Sequence, residues 1–180
     1  MAMPPRGTSS AFAIRPAVPA DAAGCAAVYA PYMADSCISF EYEPPAAEEF
    51  ARRMVAAHAW LVAEADGVVV GYAYGSRHKE RAAYDWAADV AIYTAAGHHG
   101  RGIGRALYEQ LFALLRDRGL RTLCAGVAQP NAASDALHRT LGFEEVGVYR
   151  RIGWKDGRWH DVRWWQLHLG DASPPATVAG

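Results

Sequence analysis

The stretch Ala91-Ile-Tyr-Thr-Ala-Ala-Gly-His-His-Gly-Arg-Gly-Ile-Gly-Arg-Ala-Leu sets three alternating glycines, Gly100, Gly102 and Gly104, between a β-rich run and an apolar-periodic one. Glycine permits positive φ and lets the backbone come close to a ligand. A helix that starts inside such a loop adds unpaired N–H groups and the positive end of its dipole. Strand, glycine loop and helix N-terminus in that order make an anion site sized for phosphate or pyrophosphate. A glycine turn that serves packing alone is the plainer alternative. Two familiar phosphate loops do not fit. The Walker pattern needs Gly-Lys-Ser/Thr, and Gly104 is followed by Arg105-Ala106. The dinucleotide pattern G-x-G-x-x-G meets Arg105 where its third glycine belongs, and it should open a fold rather than lie in mid-chain.

Composition narrows the anion to a small one. The 180 residues carry 18 Lys plus Arg against 19 Asp plus Glu, a formal charge of −1 that lacks the footprint of a nucleic-acid-coating protein. Cys25, Cys37 and Cys124 are an odd, widely spaced set with no Cys-x-x-Cys pair, which speaks against a disulfide framework or zinc knuckle and for a reducing cytoplasm. No apolar run approaches the roughly 18 residues of a membrane span. The start, MAMPPRGTSS, lacks the pattern of a signal peptide. A cytoplasmic protein that handles small molecules is the expectation.

The pattern along the chain predicts one domain over residues 11–170, with flexible tails at 1–10 and 171–180. Strands are expected at Phe12–Arg15, Ile38–Tyr42, Trp60–Ala65, Val68–Ser76, Ala87–Tyr93, Leu120–Val127, Phe143–Tyr149 and Asp161–Leu169. Helices are expected after Pro19 and Asp21, from Pro44-Pro45 to about His58, from Gly102 to Arg118, and from Asn131 to Leu141. Asp66-Gly67 is a strong hairpin signal. The order is that of a mixed sheet with helices on its faces, not of a strictly alternating doubly wound fold.

With these residues in view, the chain resembles the GNAT superfamily of N-acetyltransferases. Their pyrophosphate loop reads Gln/Arg-x-x-Gly-x-Gly/Ala, and His99-Gly-Arg-Gly-Ile-Gly104 matches it with His99 in the Gln/Arg place. The second superfamily mark is Asn131-Ala-Ala-Ser-Asp-Ala-Leu-His138-Arg-Thr-Leu-Gly-Phe143. A closer resemblance runs from Phe12 to Leu169. Trp60-Leu-Val-Ala-Glu64, Ala83-Tyr-Asp-Trp86, Arg158-Trp-His-Asp-Val162, Trp165-Gln-Leu167 and the segment SCISFEYEP at Ser36 to Pro44 are similar to phosphinothricin and methionine sulfoximine N-acetyltransferases. The resemblance implies an α+β (α/β three-layer) fold with a mixed, mostly antiparallel central sheet and helices on both faces. It also implies acetyl-CoA as co-substrate, the α-amine of a glutamate-like amino acid as acceptor, and a homodimer.

Residue roles follow from that frame. Ala91, Ile92 and Tyr93 would run beside the thioester, with a backbone N–H of Ile92 or Tyr93 facing the oxyanion. His99, Gly100, Arg101, Gly102, Ile103, Gly104 and Arg105 would hold the pyrophosphate, and Asn131 and Ser134 the pantetheine side. Amine acetylation needs a proton acceptor, because an ammonium has no lone pair. Asp89, on the strand before the glycine loop, stands where related enzymes usually carry Glu; its shorter arm favours a water relay or a shifted substrate. A carboxylate that only satisfies buried neighbours is the bland alternative. His138 stands where most of the superfamily places a Tyr near the sulfur; it is a candidate to protonate the thiolate or to act as the base. Lys79, Arg81 and Tyr84 match the family's positions for the acceptor's acid groups, against the alternative of a solvated charged loop, and Phe40 is a candidate wall.

Other features read as structural. Seven histidines include no His-Glu-x-x-His, and no metal is expected. Cys124 reads as core. The tryptophans Trp154, Trp159, Trp164 and Trp165 read as core, pocket rim and dimer contact. The expected chemistry is direct attack in a ternary complex, without an acetyl-enzyme. Two alternatives stand beside it: a different small-amine acceptor, and a decayed acyl-CoA-binding protein, motivated by Asp89 in place of Glu.

Overall fold

Two Asp-Gly pairs organise the sheet, because aspartate tolerates and glycine favours the positive φ of a type I′ turn. Asp66-Gly67, at φ 51° and 77°, joins β2 (Ala59–Ala65) to β3 (Val68–Arg77). Asp156-Gly157, at φ 53° and 72°, joins β6 (Glu144–Lys155) to β7 (Arg158–His168). The second hairpin is longer than expected: the strands read as Phe143–Tyr149 and Asp161–Leu169 continue through Arg150–His160 to meet at this turn. The computed structural model describes residues 12–34, 36–171 and 173. The tails expected at 1–10 and 171–180 lie outside the described residues, apart from Asp171 and Ser173.

The remaining elements are β1 (Ala13–Pro16), α1 (Ala22–Ala34), α2 (Ala47–Ala56), β4 (Ala87–Thr94), α3 (Ile103–Asp117), β5 (Thr122–Ala128) and α4 (Ala132–Thr140). The seven strands lie in the order β1-β2-β3-β4-β5-β7-β6, and every neighbouring pair is antiparallel except β4 with β5. The fold is thus α+β, with helices on both faces of a mostly antiparallel sheet. On one face Leu107, Leu111 and Leu115 of α3 are buried against Ala63, Ala73 and Leu123. This approach is close: a Cβ at Gly75 would come within 2.8 Å of Leu115. On the other face α1 and α2 bring Tyr29 and Phe50 onto Trp60 and Tyr72.

Ile38–Tyr42 is not a strand, contrary to expectation. A strand needs a ladder partner for its backbone groups, and here side chains take that role. Ser39 Oγ accepts from the Glu41 N–H at 3.1 Å. The buried Lys155 ammonium donates to the carbonyl oxygens of Met33, Ser36 and Ser39 at 2.6, 3.0 and 2.8 Å. Its three donors are therefore satisfied, and the segment is tied to the β6–β7 hairpin.

One feature of the sheet positions the site. β4 and β5 pair only through Ala87–Asp89 and Thr122–Cys124. Beyond Asp89, β4 stays with β3 as far as Thr94, while β5 stays with β7 as far as Ala128. The two parallel strands diverge and leave a cleft in mid-sheet.

Candidate active site

A cavity of about 520 Å³ occupies that divergence. Its walls come from β4 (Val90–Thr94), the glycine loop and first turns of α3, the end of β5 (Ala125–Ala128), and α4. Gly100 and Gly102 take φ of 73° and 80°, a left-handed conformation that costs any other L-residue roughly 1–2 kcal/mol. Gly102 is the N-cap of α3 and supplies no side-chain cap, so the N–H groups of the first turn keep their donors for a ligand. Gly104 is different: a Cβ there would make ordinary contacts with Ile92 and Leu137 at 3.5 and 3.6 Å.

Most of the residues expected at the acyl-CoA arm meet here. Ala91, Ile92, Tyr93, His99, Gly100, Gly102, Ile103, Gly104, Arg105, Asn131, Ser134 and His138 all line the cavity. Arg101 is not part of the lining and is exposed. His99 folds back on the protein: its Nε2 lies 3.0 Å from the Thr94 carbonyl oxygen and 2.9 Å from the Tyr32 hydroxyl. In the Gln/Arg place of the motif, the imidazole thus ties the glycine loop to β4 and α1. Asn131 Oδ1 accepts from the Ser134 N–H at 3.1 Å, which caps α4 and leaves the side-chain NH₂ for other partners.

His138 is buried among aromatic rings, with Phe143 edge-on at 4.9 Å and Trp165 stacked at 6.1 Å. Its Nδ1 lies 2.7 Å from the Ser134 carbonyl oxygen, an atom that only accepts, so Nδ1 carries the proton. Nε2 is buried and has no hydrogen-bond partner among the described residues. Burial lowers the imidazole pKa, with the Ser134 carbonyl opposing it, which favours the neutral ring. A neutral ring with a bare Nε2 can accept or relay a proton; it is a poor standing donor to a thiolate.

Asp89 stands at the last paired position of the two parallel strands, opposite Cys124. Strand alternation puts Asp89 and Cys124 on the α1–α2 face, whereas Ala88, Leu123 and Ala125 enter the α3 core that also holds Trp165, the partner of His138. The two candidates for base and acid therefore lie on opposite faces of the sheet, and of the two only His138 lines the cavity. Burial raises the Asp89 carboxyl pKa, and a hydrogen bond from His78 lowers it in part. That bond, His78 Nδ1 to Asp89 Oδ1 at 2.7 Å, is the contact that reading the sequence missed. His78 lies within the charged run Arg77-His-Lys-Glu-Arg81, eleven positions from its partner, with no local pattern to mark it. Tyr32, Ile38, Gly126 and Tyr108 are further lining residues that had no motif.

Cys124 is half-buried rather than core, and burial together with Asp89 pushes its thiol pKa up. Donor atoms of His78, Asp89 and Cys124 lie within 4.8 Å of one another. The first two are already engaged with each other.

Lys79, Arg81 and Tyr84 are exposed in the loop that follows β3. An ion pair of Arg77 with Asp85 at 2.5 Å and a bond from Arg77 Nε to the Lys79 carbonyl oxygen at 3.0 Å close this loop. Lys79 and Arg81 form no ion pair among the described residues; Lys79 is near enough to Asp89 to lower its carboxyl pKa, and Lys79, Arg81 and Tyr84 all lie outside the cavity's lining. The Tyr84 ring stands edge-on to His78 at 5.7 Å. Phe40 sits elsewhere, against Gly153 and His160 of the long hairpin, and Ile38 is the cavity's lining residue from that segment.

Comparisons with known proteins give the family and the fold. Residues 14–164 match the acetyltransferase (GNAT) domain. The chain is 36% identical to the phosphinothricin N-acetyltransferase of Streptomyces viridochromogenes over 92% of each chain. It is 35% identical to the L-methionine sulfoximine/L-methionine sulfone acetyltransferase of Salmonella typhimurium over 64% of this chain and 67% of that one. A phosphinothricin acetyltransferase from Sinorhizobium meliloti, solved in complex with acetyl-CoA, superposes with a TM-score of 0.87 at 33% identity, covering 92% of this chain and 94% of that one.

Proposed function

The chain belongs to the GNAT family of acetyltransferases, and from that premise we propose that it moves the acetyl group of acetyl-CoA to the α-amine of phosphinothricin, methionine sulfoximine or a similar glutamate-like amino acid. The observation that carries this reading is the cleft itself. The uncapped N-terminus of α3 opens on it, suited to a pyrophosphate, and the strand that walls it from Val90 onward carries the Asp89 carboxylate one residue earlier, outside the lining, with Lys79 and Arg81 in the loop after β3, groups suited to an acceptor with an amine and two acid groups.

In this reading the pyrophosphate lies on the Gly100–Arg105 backbone, and the NH₂ of Asn131 faces the pantetheine arm. Transfer is direct, in a ternary complex. The acceptor's ammonium first gives a proton to the Asp89 end of the cleft. The freed lone pair attacks the thioester carbonyl, a C–N bond forms, and the oxyanion meets a backbone N–H of Ile92 or Tyr93. The C–S bond then breaks, and the second proton of the attacking nitrogen passes to sulfur, with His138 Nε2 as a relay. The amide and the free thiol of CoA leave, and one proton goes to solvent. Cys124 keeps its proton because burial and the neighbouring Asp89 raise its pKa, which disfavours an acetyl-enzyme at that sulfur. Lys79 and Arg81 would hold the acceptor's acid groups, with Tyr84 beside them.

The homodimer belongs to the same proposal. β6 is an edge strand, and Val146, Tyr149, Ile152, Trp154 and Trp159 of the long hairpin are large apolar side chains left in solvent. Apolar surface of that kind is a natural face for a second copy. No helix among the described residues is long and apolar enough to cross a membrane. A cytoplasmic setting, where acetyl-CoA is at hand and the free cysteines stay reduced, completes the reading.

The test is thiol release from acetyl-CoA with methionine sulfoximine, phosphinothricin and a panel of other amines. Turnover with the first two supports the acceptor class. Turnover only with unrelated amines keeps the enzyme and rejects the acceptor. Acetyl-CoA binding without turnover on any amine would favour a decayed acyl-CoA-binding protein.

A further inference from the structure

Asp89 poses a problem of reach and basicity. The aspartate arm is short, and its Oδ1 is already bonded to His78 Nδ1 at 2.7 Å. A carboxylate accepts in that contact, so Nδ1 carries the hydrogen and the lone pair lies on Nε2. Nε2 has no hydrogen-bond partner among the described residues, and both side chains are partly exposed. His78 follows the last residue of β3, Arg77, bonds Asp89 and stands edge-on to the ring of Tyr84.

We propose that His78, held by Asp89, takes the first proton from the acceptor's ammonium, so that the base is a histidine–aspartate pair rather than a lone carboxylate. The inference rests on the acetyl-transfer reading above. Its ground is geometry: Asp89 Oδ1 is occupied by the Nδ1–H, and Nε2 is the open acceptor of the pair. A proton delivered to Nε2 forms an imidazolium facing the carboxylate. The N–H bond of the ammonium breaks and an Nε2–H bond forms. The amine keeps the electron pair for attack, and the imidazolium later returns its proton to solvent. Asp89 holds the ring's orientation and tautomer and offsets its charge.

The other titratable and charged groups around the pair are few. Cys124 faces it from β5, and Tyr74 of β3 senses the Asp89 charge. Lys79, Tyr84 and the Arg77–Asp85 ion pair surround it in the loop.

The experiment compares wild type, His78→Gln and the double variant His78→Gln/Asp89→Glu, with methionine sulfoximine as acceptor and pH varied from 6 to about 9.5. His78→Gln is expected to lose about 10²-fold in kcat/KM for the acceptor at neutral pH, with acetyl-CoA affinity retained. The loss should shrink as pH rises, because a free amine needs no base, and the double variant should recover part of it through the longer carboxylate. Wild-type rates in His78→Gln at every pH, or a loss that does not vary with pH, overturn the proposal. Imidazole ¹⁵N shifts of the wild-type protein give a test that does not depend on a variant's folding. The Nδ1–H tautomer is expected at His78, and the Nε2–H tautomer overturns the proposal. Absence of wild-type turnover on any amine is a separate outcome that rejects the acetyl-transfer reading itself.

Discussion

The α3 end of the cleft is built of backbone: Gly100 and Gly102 at positive φ, and the uncapped N–H groups of the first helical turn. The surroundings of Asp89 are built of side chains, with His78 from the residue after β3, Asp89 from β4, Cys124 from β5 and Lys79, Arg81 and Tyr84 in the loop. A site made of backbone tolerates exchange of the side chains around it. His99 stands in a Gln/Arg place and serves as a tether. It does not tolerate a change of conformation. A site made of side chains from several elements has the opposite sensitivity. Each functional group counts, and in the proposal above the short arm of Asp89 acts through its neighbour His78.

The largest effect that sharpens this contrast is expected from Asp89→Asn. It should lower kcat by roughly 10²–10⁴-fold while calorimetry finds acetyl-CoA affinity unchanged; parallel losses would mean that the two ends are one unit. Burial raises the Asp89 carboxyl pKa, so its hold on His78, and activity with it, should weaken on acidification at a pH above the usual carboxylate range.

Gly102→Val should act at the other end. Forcing a side chain into φ 80° should weaken acetyl-CoA binding by roughly 5- to 30-fold, equivalent to about 1–2 kcal/mol. The acceptor KM should stay near wild type in steady-state kinetics. A smaller change is expected from Arg81→Gln, which removes one charge-assisted contact. The acceptor KM should rise by about tenfold, with no change for acetyl-CoA.

The smallest effect concerns stability rather than rate. His138 has its pKa lowered by burial, so the unfolded chain binds more protons than the folded one across the range between the two values. This contribution is present above the unfolded value and is lost as pH falls toward the folded one. The drop in Tm between pH 7 and pH 5 should therefore be shallower in His138→Gln than in wild type. Equal slopes would show that His138 does not contribute to the acid sensitivity; His58, whose pKa burial also lowers, is the next group to examine.

Legibility in the sequence followed the same division. Asp66-Gly67 announced its hairpin because both turn residues are local. Asp156-Gly157 carries the same signal, yet the strands on either side, rich in Arg and Gly with outward-facing tryptophans, do not alternate cleanly, and the long β6–β7 hairpin was cut short. Ile38–Tyr42 has the composition of a strand, but its backbone is claimed by Ser39 and Lys155, the latter more than a hundred residues away. The Gly100–Gly104 loop and the start of α4 at Asn131 were readable because their geometry lies within a few consecutive residues.

The sequence by itself determined the glycine loop, the helix that starts in it and the family, since these depend on φ, capping and spacing over short distances. Only the tertiary structure decided which groups gather around Asp89. The antiparallel register of β3 on β4 puts Ser76 beside Asp89, and this brings His78, two residues further on, to the carboxylate. Helix α4 packs His138 onto Trp165 in the core of the opposite face, where burial favours the neutral ring, the Ser134 carbonyl fixes the proton on Nδ1 and Nε2 stays bare. Charge and proton affinity depend on neighbours in space, and those neighbours exist only once the sheet has formed.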